Sequence, residues 1–194
     1  MSLALFPGWR PDADAHARLG TLAQAAKLTQ PRDAPALKVR RPDQWHVTLC
    51  FAGYDLQHLV SPQLLQAFAD AATEIPSHQF ELERLAYWPG SGAVVALPFR
   101  SPELQALCDA SHRALRRCGI KPMLVTHQPH VTLAYLDEHL PPQPWLDDVD
   151  YSDTPLHVER FELLFNPGGR YEALGCWDLT GSELPPQPEQ ATLF

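Results

Sequence analysis

Apolar positions change their spacing several times along this chain, and each change marks an element. Residues 3–6 read as a first strand ended by a Pro7-Gly8 turn. From Asp12, a capping residue type, Ala15, Leu19, Leu22 and Ala26 recur at helical spacing. They predict a helix of about four turns, broken by the prolines at 31 and 35. Ser61-Pro62 and Ser101-Pro102 each join a capping side chain to a proline suited to the first helical position. The first pair opens a helix with Leu65, Phe68, Ala72 and Ile75 on its buried side. The second opens one with Leu104, Leu107, Ser111 and Cys118 on that side and Gly119 as its stop. Arg113, Arg116 and Arg117 fall in its last turns, where cations suit the helix dipole. Residues 80–88 and 93–97 read as strands joined by the turn Pro89-Gly90-Ser91-Gly92. Residues 156–165 and 170–179 read as a second hairpin around Asn166-Pro167-Gly168-Gly169.

Two further segments alternate with period two. Trp45, Val47, Leu49 and Phe51 alternate with His46, Thr48 and Cys50; Val131, Leu133 and Tyr135 alternate with His130, Thr132 and Ala134. Successive strand side chains point to opposite faces, so each His and its Thr share one face. The tetrapeptide His-Val-Thr-Leu thus occurs twice, 84 residues apart (130 − 46). Alternation places Cys50 and Ala134 on the His face as a small cleft floor, and Phe51 and Tyr135 in the core. A helix, a linker and a His-x-Thr strand occur in each half of the chain. The expected fold is therefore α+β, bilobal and pseudo-two-fold, with mainly antiparallel sheets lining a central cleft and helices outside. Residues 1–180 would form one domain, and the Pro-rich tail 181–194 has too little apolar content to order itself.

Composition narrows the function. A chain of 194 residues with 45% hydrophobic content can bury a proper core. No apolar run approaches bilayer length, and the N-terminus lacks the basic lead of a secretion signal, so a cytoplasmic protein without a membrane role is expected. A net charge of −8 argues against a grip on long nucleic acid; a polynucleotide would be touched at few phosphates, such as an end. The four cysteines form no Cys-x-x-Cys pair and read as reduced packing thiols. His127 lies close to His130, but no ligand pattern of a catalytic zinc occurs, so no metal is expected and His127 reads as a surface or strand-entry residue. Lys38, Arg40, Arg41 and Lys121 offer either a local basic rim or ordinary solvated charge. Cys50 beside His46 invites a nucleophile reading, yet Ala134 occupies the matching place in the second copy, which favours a small cleft-lining residue.

Two imidazoles and two hydroxyls on converging strands suit phosphodiester chemistry without metal. Imidazole titrates near neutral pH and can take or give a proton, while a threonine hydroxyl is a fixed neutral donor for phosphate oxygens. A non-catalytic phosphate- or nucleotide-binding module is the competing class, though simple anion binding is better served by Arg, Lys or a Gly-rich helix start.

The segments Trp45-His46-Val47-Thr48-Leu49-Cys50-Phe51-Ala52-Gly53 and Pro129-His130-Val131-Thr132-Leu133-Ala134 resemble the paired signatures of the two-histidine (2H) phosphoesterases, and most nearly the RNA 2′,3′-cyclic phosphodiesterases, historically called 2′-5′ RNA ligases. The likeness extends over about residues 1–180, through the Leu-Ala-Leu-Phe start and the final hairpin. It implies hydrolysis of a terminal 2′,3′-cyclic phosphate to a 2′-phosphate without metal or other cofactor, with 2′-5′ ligation as the permitted reverse. Carried onto matching positions, His46 is the proton donor, His130 the proton acceptor, and Thr48 and Thr132 hold the phosphate. The implied partner is RNA with a terminal 2′,3′-cyclic phosphate; the acidic balance would suit a small nucleotide, ADP-ribose cyclic phosphate included, as well, and a monomer is expected. The family often has Arg after the second His-x-Thr-Leu-Ala; here Tyr135 stands there, on the face expected to pack in the core.

Overall fold

In the computed structural model, which describes residues 3–137, 139–150 and 155–183, Asp12, Ser61 and Ser101 each cap a helix as their residue types dictate. Each side chain accepts a hydrogen bond from a backbone N–H three residues on, at Ala15, Leu64 and Leu104 respectively. The helices are α1 (Ala13–Thr29), α2 (Pro62–Glu74) and α3 (Pro102–Arg117). In α2 the fully buried leucine is Leu64 rather than the expected Leu65, which is only partly covered. Arg113 and Arg117 of α3 reach across to Glu74 of α2, at 2.7 and 3.5 Å, so they tie two helices together besides facing a helix end. None of the described helices is long and apolar enough to cross a membrane. Tail residues 184–194 lie outside the described residues.

The strands are β1 (Ala4–Trp9), β2 (Lys38–Val39), β3 (Val47–Thr48), β4 (Cys50–Phe51), β5 (Gly53–Tyr54), β6 (His78–Phe80), β7 (Leu82–Trp88), β8 (Ala93–Pro98), β9 (Leu124–Val125), β10 (Val131–Tyr135), β11 (Leu156–Val158), β12 (Arg160–Asn166) and β13 (Glu172–Asp178). Both predicted hairpins form, as β7–β8 and β12–β13, but each outer segment is divided: β6 leaves β7 to pair with β11, which leaves β12. The main antiparallel sheet runs β13-β12-β1-β3-β10-β8-β7, with β2 added on β10 and β5 on β1.

A pseudo-two-fold relates the halves in detail. The chain runs β1-α1-β2-β3 in the first half and β8-α3-β9-β10 in the second. The short linker strand of each half then crosses to the other: β2 pairs with the end of β10 (Ala134↔Val39), and β9 pairs with β4 (Cys50↔Val125). Ala134 and Cys50 are the matching positions of the two motif copies, so each copy is held at the same place by the opposite half.

Both motif strands bulge just after the His-x-Thr triplet, and this revises five expectations. Between Thr48 and Gly53 the chain carries two more residues than β1 does between Gly8 and Leu5. In the second copy the β8 register slips at Leu133. A bulge turns two successive side chains to one side, so Leu49 with Cys50, and Leu133 with Ala134, are buried together. Cys50 and Ala134 are therefore core residues, not a cleft floor. Phe51 and Tyr135 swing back to the His face; Tyr135 is 37% exposed rather than packed in the core. The same bulge removes the expected Pro7-Gly8 turn: β1 runs straight through Pro7, whose carbonyl accepts from Leu49 N–H at 3.0 Å. A strand residue's N–H and C=O point the same way, so the donor that proline lacks falls where the ladder is already open. Gly8 is required by closeness, since a Cβ there would meet the Val47 carbonyl at 3.0 Å and Leu164 Cδ1 at 3.1 Å.

Val47, Leu49, Val131 and Leu133 share one buried cluster with Leu19 of α1, Leu64 and Phe68 of α2, and Leu104 and Leu107 of α3. Helices thus cover the valine face. The histidines and threonines are left on the other.

Candidate active site

Val47 and Val131 pair directly across β3 and β10. Extending that antiparallel register by one residue each way sets His46 opposite Thr132 and Thr48 opposite His130. Directly opposed residues project from the same face, so all four predicted side chains meet in one diagonal cluster on the axis between the halves.

Backbone contacts orient both rings alike. His46 Nδ1 lies 2.9 Å from the Gln44 carbonyl, and His130 Nδ1 lies 2.9 Å from the Gln128 carbonyl. A carbonyl only accepts, so each Nδ1 carries a hydrogen and each neutral ring keeps its lone pair on Nε2. The Thr48 hydroxyl donates to His46 Nε2 at 3.1 Å. The true repeat is therefore Gln-x-His-Val-Thr-Leu, six residues long. The four-residue motif leaves out the two Gln carbonyls, although the repeated Gln is their signal in the sequence.

Aromatic side chains wall the imidazoles. Phe6 and Tyr171 flank His46 with ring centroids 5.0 and 4.9 Å away, Tyr171 edge-on at 82°. Trp88, at the end of the β7–β8 hairpin, lies 4.3 Å from His130. Burial lowers the affinity of both rings for a proton, against the smaller opposing effect of the carbonyl bonds. His46 is pushed down to about 4, with further lowering by Arg40, His130 and Arg10. Arg10 itself is held by both carboxylate oxygens of Glu162, from Nε and from Nη2 at 2.9 Å.

The two rims differ in chemistry. On the β2 side, Lys38 pairs with Asp137 at 3.1 Å, and Arg41 with Asp43 at 3.1 Å and the Gly169 carbonyl at 2.7 Å. Arg40 instead donates to the Tyr171 hydroxyl at 3.0 Å and the Tyr135 hydroxyl at 3.4 Å, with its guanidinium 5.7 Å from the Tyr135 ring centroid. Lys121 is exposed. The β9 rim is apolar, with Met123 and Leu124 largely exposed. Cys50 lies under the sheet, where its thiol donates to the Leu124 carbonyl at 3.5 Å and burial raises its pKa to about 11, so it is neither nucleophile nor cleft lining. His127 is exposed. Among the described residues, no three His, Cys, Asp or Glu side chains are grouped so as to hold a metal ion.

Comparison with known proteins agrees with this geometry. The sequence profile of the 2′-5′ RNA ligase superfamily matches residues 11–169, which include both motif copies. No curated protein sequence matches. Among solved structures, E. coli LigT complexed with 3′-AMP is similar with a TM-score of 0.62 and 22% identity, covering 92% of this chain and 98% of that one. TT0787 of Thermus thermophilus is similar with a TM-score of 0.70 and 20% identity, covering 93% and 100%. The MHV ns2 PDE domain gives 0.51 and 18%, covering 84% and 97%. At these identities the structures establish a shared fold, and the profile, spanning most of the chain, establishes kinship: this chain belongs to the 2′-5′ RNA ligase superfamily of two-histidine phosphoesterases.

Proposed function

We propose that this protein hydrolyses the terminal 2′,3′-cyclic phosphate of RNA, or of a small nucleotide, to a 2′-phosphate by two-histidine acid/base catalysis. Membership of the superfamily supports phosphodiesterase-type activity. The observation that carries the finer reading is the direct pairing of Val47 with Val131, which brings to one site two imidazoles with matching Nδ1 bonds to the carbonyls of Gln44 and Gln128.

With phosphorus seated between the Nε2 atoms, one imidazole takes a proton from water as the water oxygen bonds to phosphorus. The other gives a proton to O3′ as the P–O3′ bond breaks. Thr48 and Thr132 donate to the non-bridging oxygens, and their strand positions keep the hydroxyls aimed. Following the family resemblance, His130 accepts and His46 donates. His46 is neutral in the free site, so the donor must gain its proton with substrate: a bound phosphate anion favours the imidazolium and offsets the neighbouring cations. With a 5′-hydroxyl in place of water, the same step joins the two ends through a 2′-5′ linkage: the base takes the hydroxyl proton as P–O5′ forms, and O3′ leaves with a proton from the acid.

Phosphorus NMR of the product from a 2′,3′-cyclic-phosphate oligonucleotide, with chelator present, tests the reading. A 2′-monophosphate resonance is expected. A 3′-phosphate product, or loss of turnover on chelation, overturns the mechanism; tight binding without turnover would favour a nucleotide-binding module.

A further inference from the structure

The register of β10 places one cation beside the histidine pair. On the edge of β10 that faces the first half, His46 falls opposite Thr132, and the Arg40 N–H donates to the next carbonyl, that of Leu133, at 2.8 Å. Residues 41–45 loop out between them, through the short turn at Pro42–Gln44. Five residues of chain therefore separate Arg40 from His46, but only one step along β10 does. The side chain of Arg40 stays over the His face, held by two phenols that stand there, Tyr135 and Tyr171, and Tyr171 is itself edge-on to His46.

The bonding of that guanidinium is unlike that of its neighbours. Lys38, Arg41 and Arg10 each spend their charge on a carboxylate, Asp137, Asp43 and Glu162. Among the described residues no carboxylate pairs with Arg40. Its partners are neutral oxygens that fix the fork in place and leave its full charge uncompensated. The pseudo-symmetric position on β9 is Thr126, whose hydroxyl donates to the Thr48 carbonyl at 3.0 Å and carries no charge. Of these two matched positions, only the one on the β2 side carries a cation.

We propose that Arg40 is the residue that holds the charge of the reacting phosphate, its guanidinium donating to a non-bridging oxygen from the β2 side while Tyr171 and Tyr135 keep it aimed. This deepens the reading of the site as a phosphodiesterase and rests on it. A planar fork with idle N–H donors matches a phosphate oxygen pair, and charge accumulating on those oxygens strengthens the contact as the water bonds to phosphorus. Tyr171, accepting from Arg40 through its oxygen, keeps its own hydroxyl hydrogen for the same anion.

Arg40→Ala, Arg40→Lys and Arg40→Ala combined with Tyr135→Arg are compared on a nucleoside 2′,3′-cyclic monophosphate, which has one phosphate only, and on its 5′-phosphorylated form. Arg40→Ala is expected to lower kcat/KM about 10²-fold on both, with Lys recovering part. Because the Tyr135 hydroxyl is 3.4 Å from the guanidinium, an arginine introduced there is expected to restore at least about tenfold. The limb of kcat/KM that reports His46 should move to higher pH in Arg40→Ala, because a positive neighbour of His46 is gone; a purely structural role would not move it. Binding of inorganic phosphate, followed by the His46 ring resonances, should weaken about tenfold or more in Arg40→Ala. A loss confined to the 5′-phosphorylated substrate, or unaltered phosphate binding with a lowered unfolding midpoint, overturns the assignment. If the native protein does not turn over cyclic phosphate yet loses phosphate binding on Arg40→Ala, the hydrolytic reading fails while Arg40 stands as the anion site.

Discussion

Val47 lies face to face with Val131 at the centre of the main sheet, and the approximate two-fold axis of the molecule passes between them. Each valine is buried, so the pair anchors the two halves from below while the residue on either side of each projects above. A one-residue slip of either strand would send its histidine into the core and its valine into the cleft. The helices packed beneath hold that register, and through it the spacing of the imidazoles.

Removal of either imidazole should therefore abolish the chemistry without unfolding the chain. His46→Ala and His130→Ala are each expected to lower turnover by about 10² to 10⁴. The double variant should be little worse than the poorer single one, because the rings act as a unit. Steady-state rates with unfolding midpoints check this. A rate near the native one in either single variant contradicts the assignment.

The threonines give a finer test, because serine keeps the hydroxyl and alanine does not. Thr48→Ala or Thr132→Ala should lower kcat about 10²-fold, the cost of losing one fixed donor to developing charge. The serine variants should stay within about tenfold of native, short of full activity because serine's χ1 is less restricted. Equal rates for Ser and Ala at either position would remove that hydroxyl from the mechanism.

Helix starts were legible because they depend on neighbours in sequence: Asp12, Ser61 and Ser101 cap within one turn. The His and Thr cluster was legible because the motif repeats. What escaped depends on partners far away in the chain. Nothing local to Cys50 or Tyr135 announces a bulge, and the residues inserted there change the face on which the following side chains fall. Pro7 reads as a turn until the bulge opposite supplies the gap for its missing donor. Five residues of chain separate Arg40 from His46, and only its pairing with β10 returns it there.

Cys50 should prove dispensable for chemistry. Its thiol is buried with a raised pKa and donates to the Leu124 carbonyl, on the side of the sheet away from the imidazoles. Cys50→Ala is expected to keep turnover within about threefold and to cost about 1 kcal/mol of stability through the small cavity it leaves. A drop in rate comparable to that of His46→Ala, in a variant with a normal unfolding midpoint, would return the thiol to the mechanism.

Close packing of β1 against β3 makes Gly8 a test of how tightly the site depends on the sheet. In Gly8→Ala the new methyl meets the Val47 carbonyl at 3.0 Å and Leu164 Cδ1 at 3.1 Å, and one of the strands must yield. Overpacking of this kind costs about 1 to 3 kcal/mol. Since Gly8 pairs with Thr48, the displacement reaches the motif directly, and kcat should fall with stability. Unchanged activity and stability would mean that the strands absorb the methyl without moving Thr48.

The half-buried imidazoles should also make stability depend on pH below neutrality. His46 is pushed down to about 4 in the folded protein, chiefly by burial and then by Arg40, His130 and Arg10, the last countered by Glu162; unfolded, it titrates near its ordinary 6.5. Between those values the unfolded chain binds the extra proton, so stability rises with pH across the window and is lost as pH falls through it. For His46 alone the loss is up to about 3 kcal/mol by pH 4. His130 and His78, both lowered by burial, act in the same direction. Urea unfolding at pH steps from 7 to 4 measures the slope, and His46→Gln should flatten it by the His46 share. A slope unaltered in that variant would show that His46 takes its proton as readily folded as unfolded, and the neutral ring at the centre of the proposed chemistry would be lost with it.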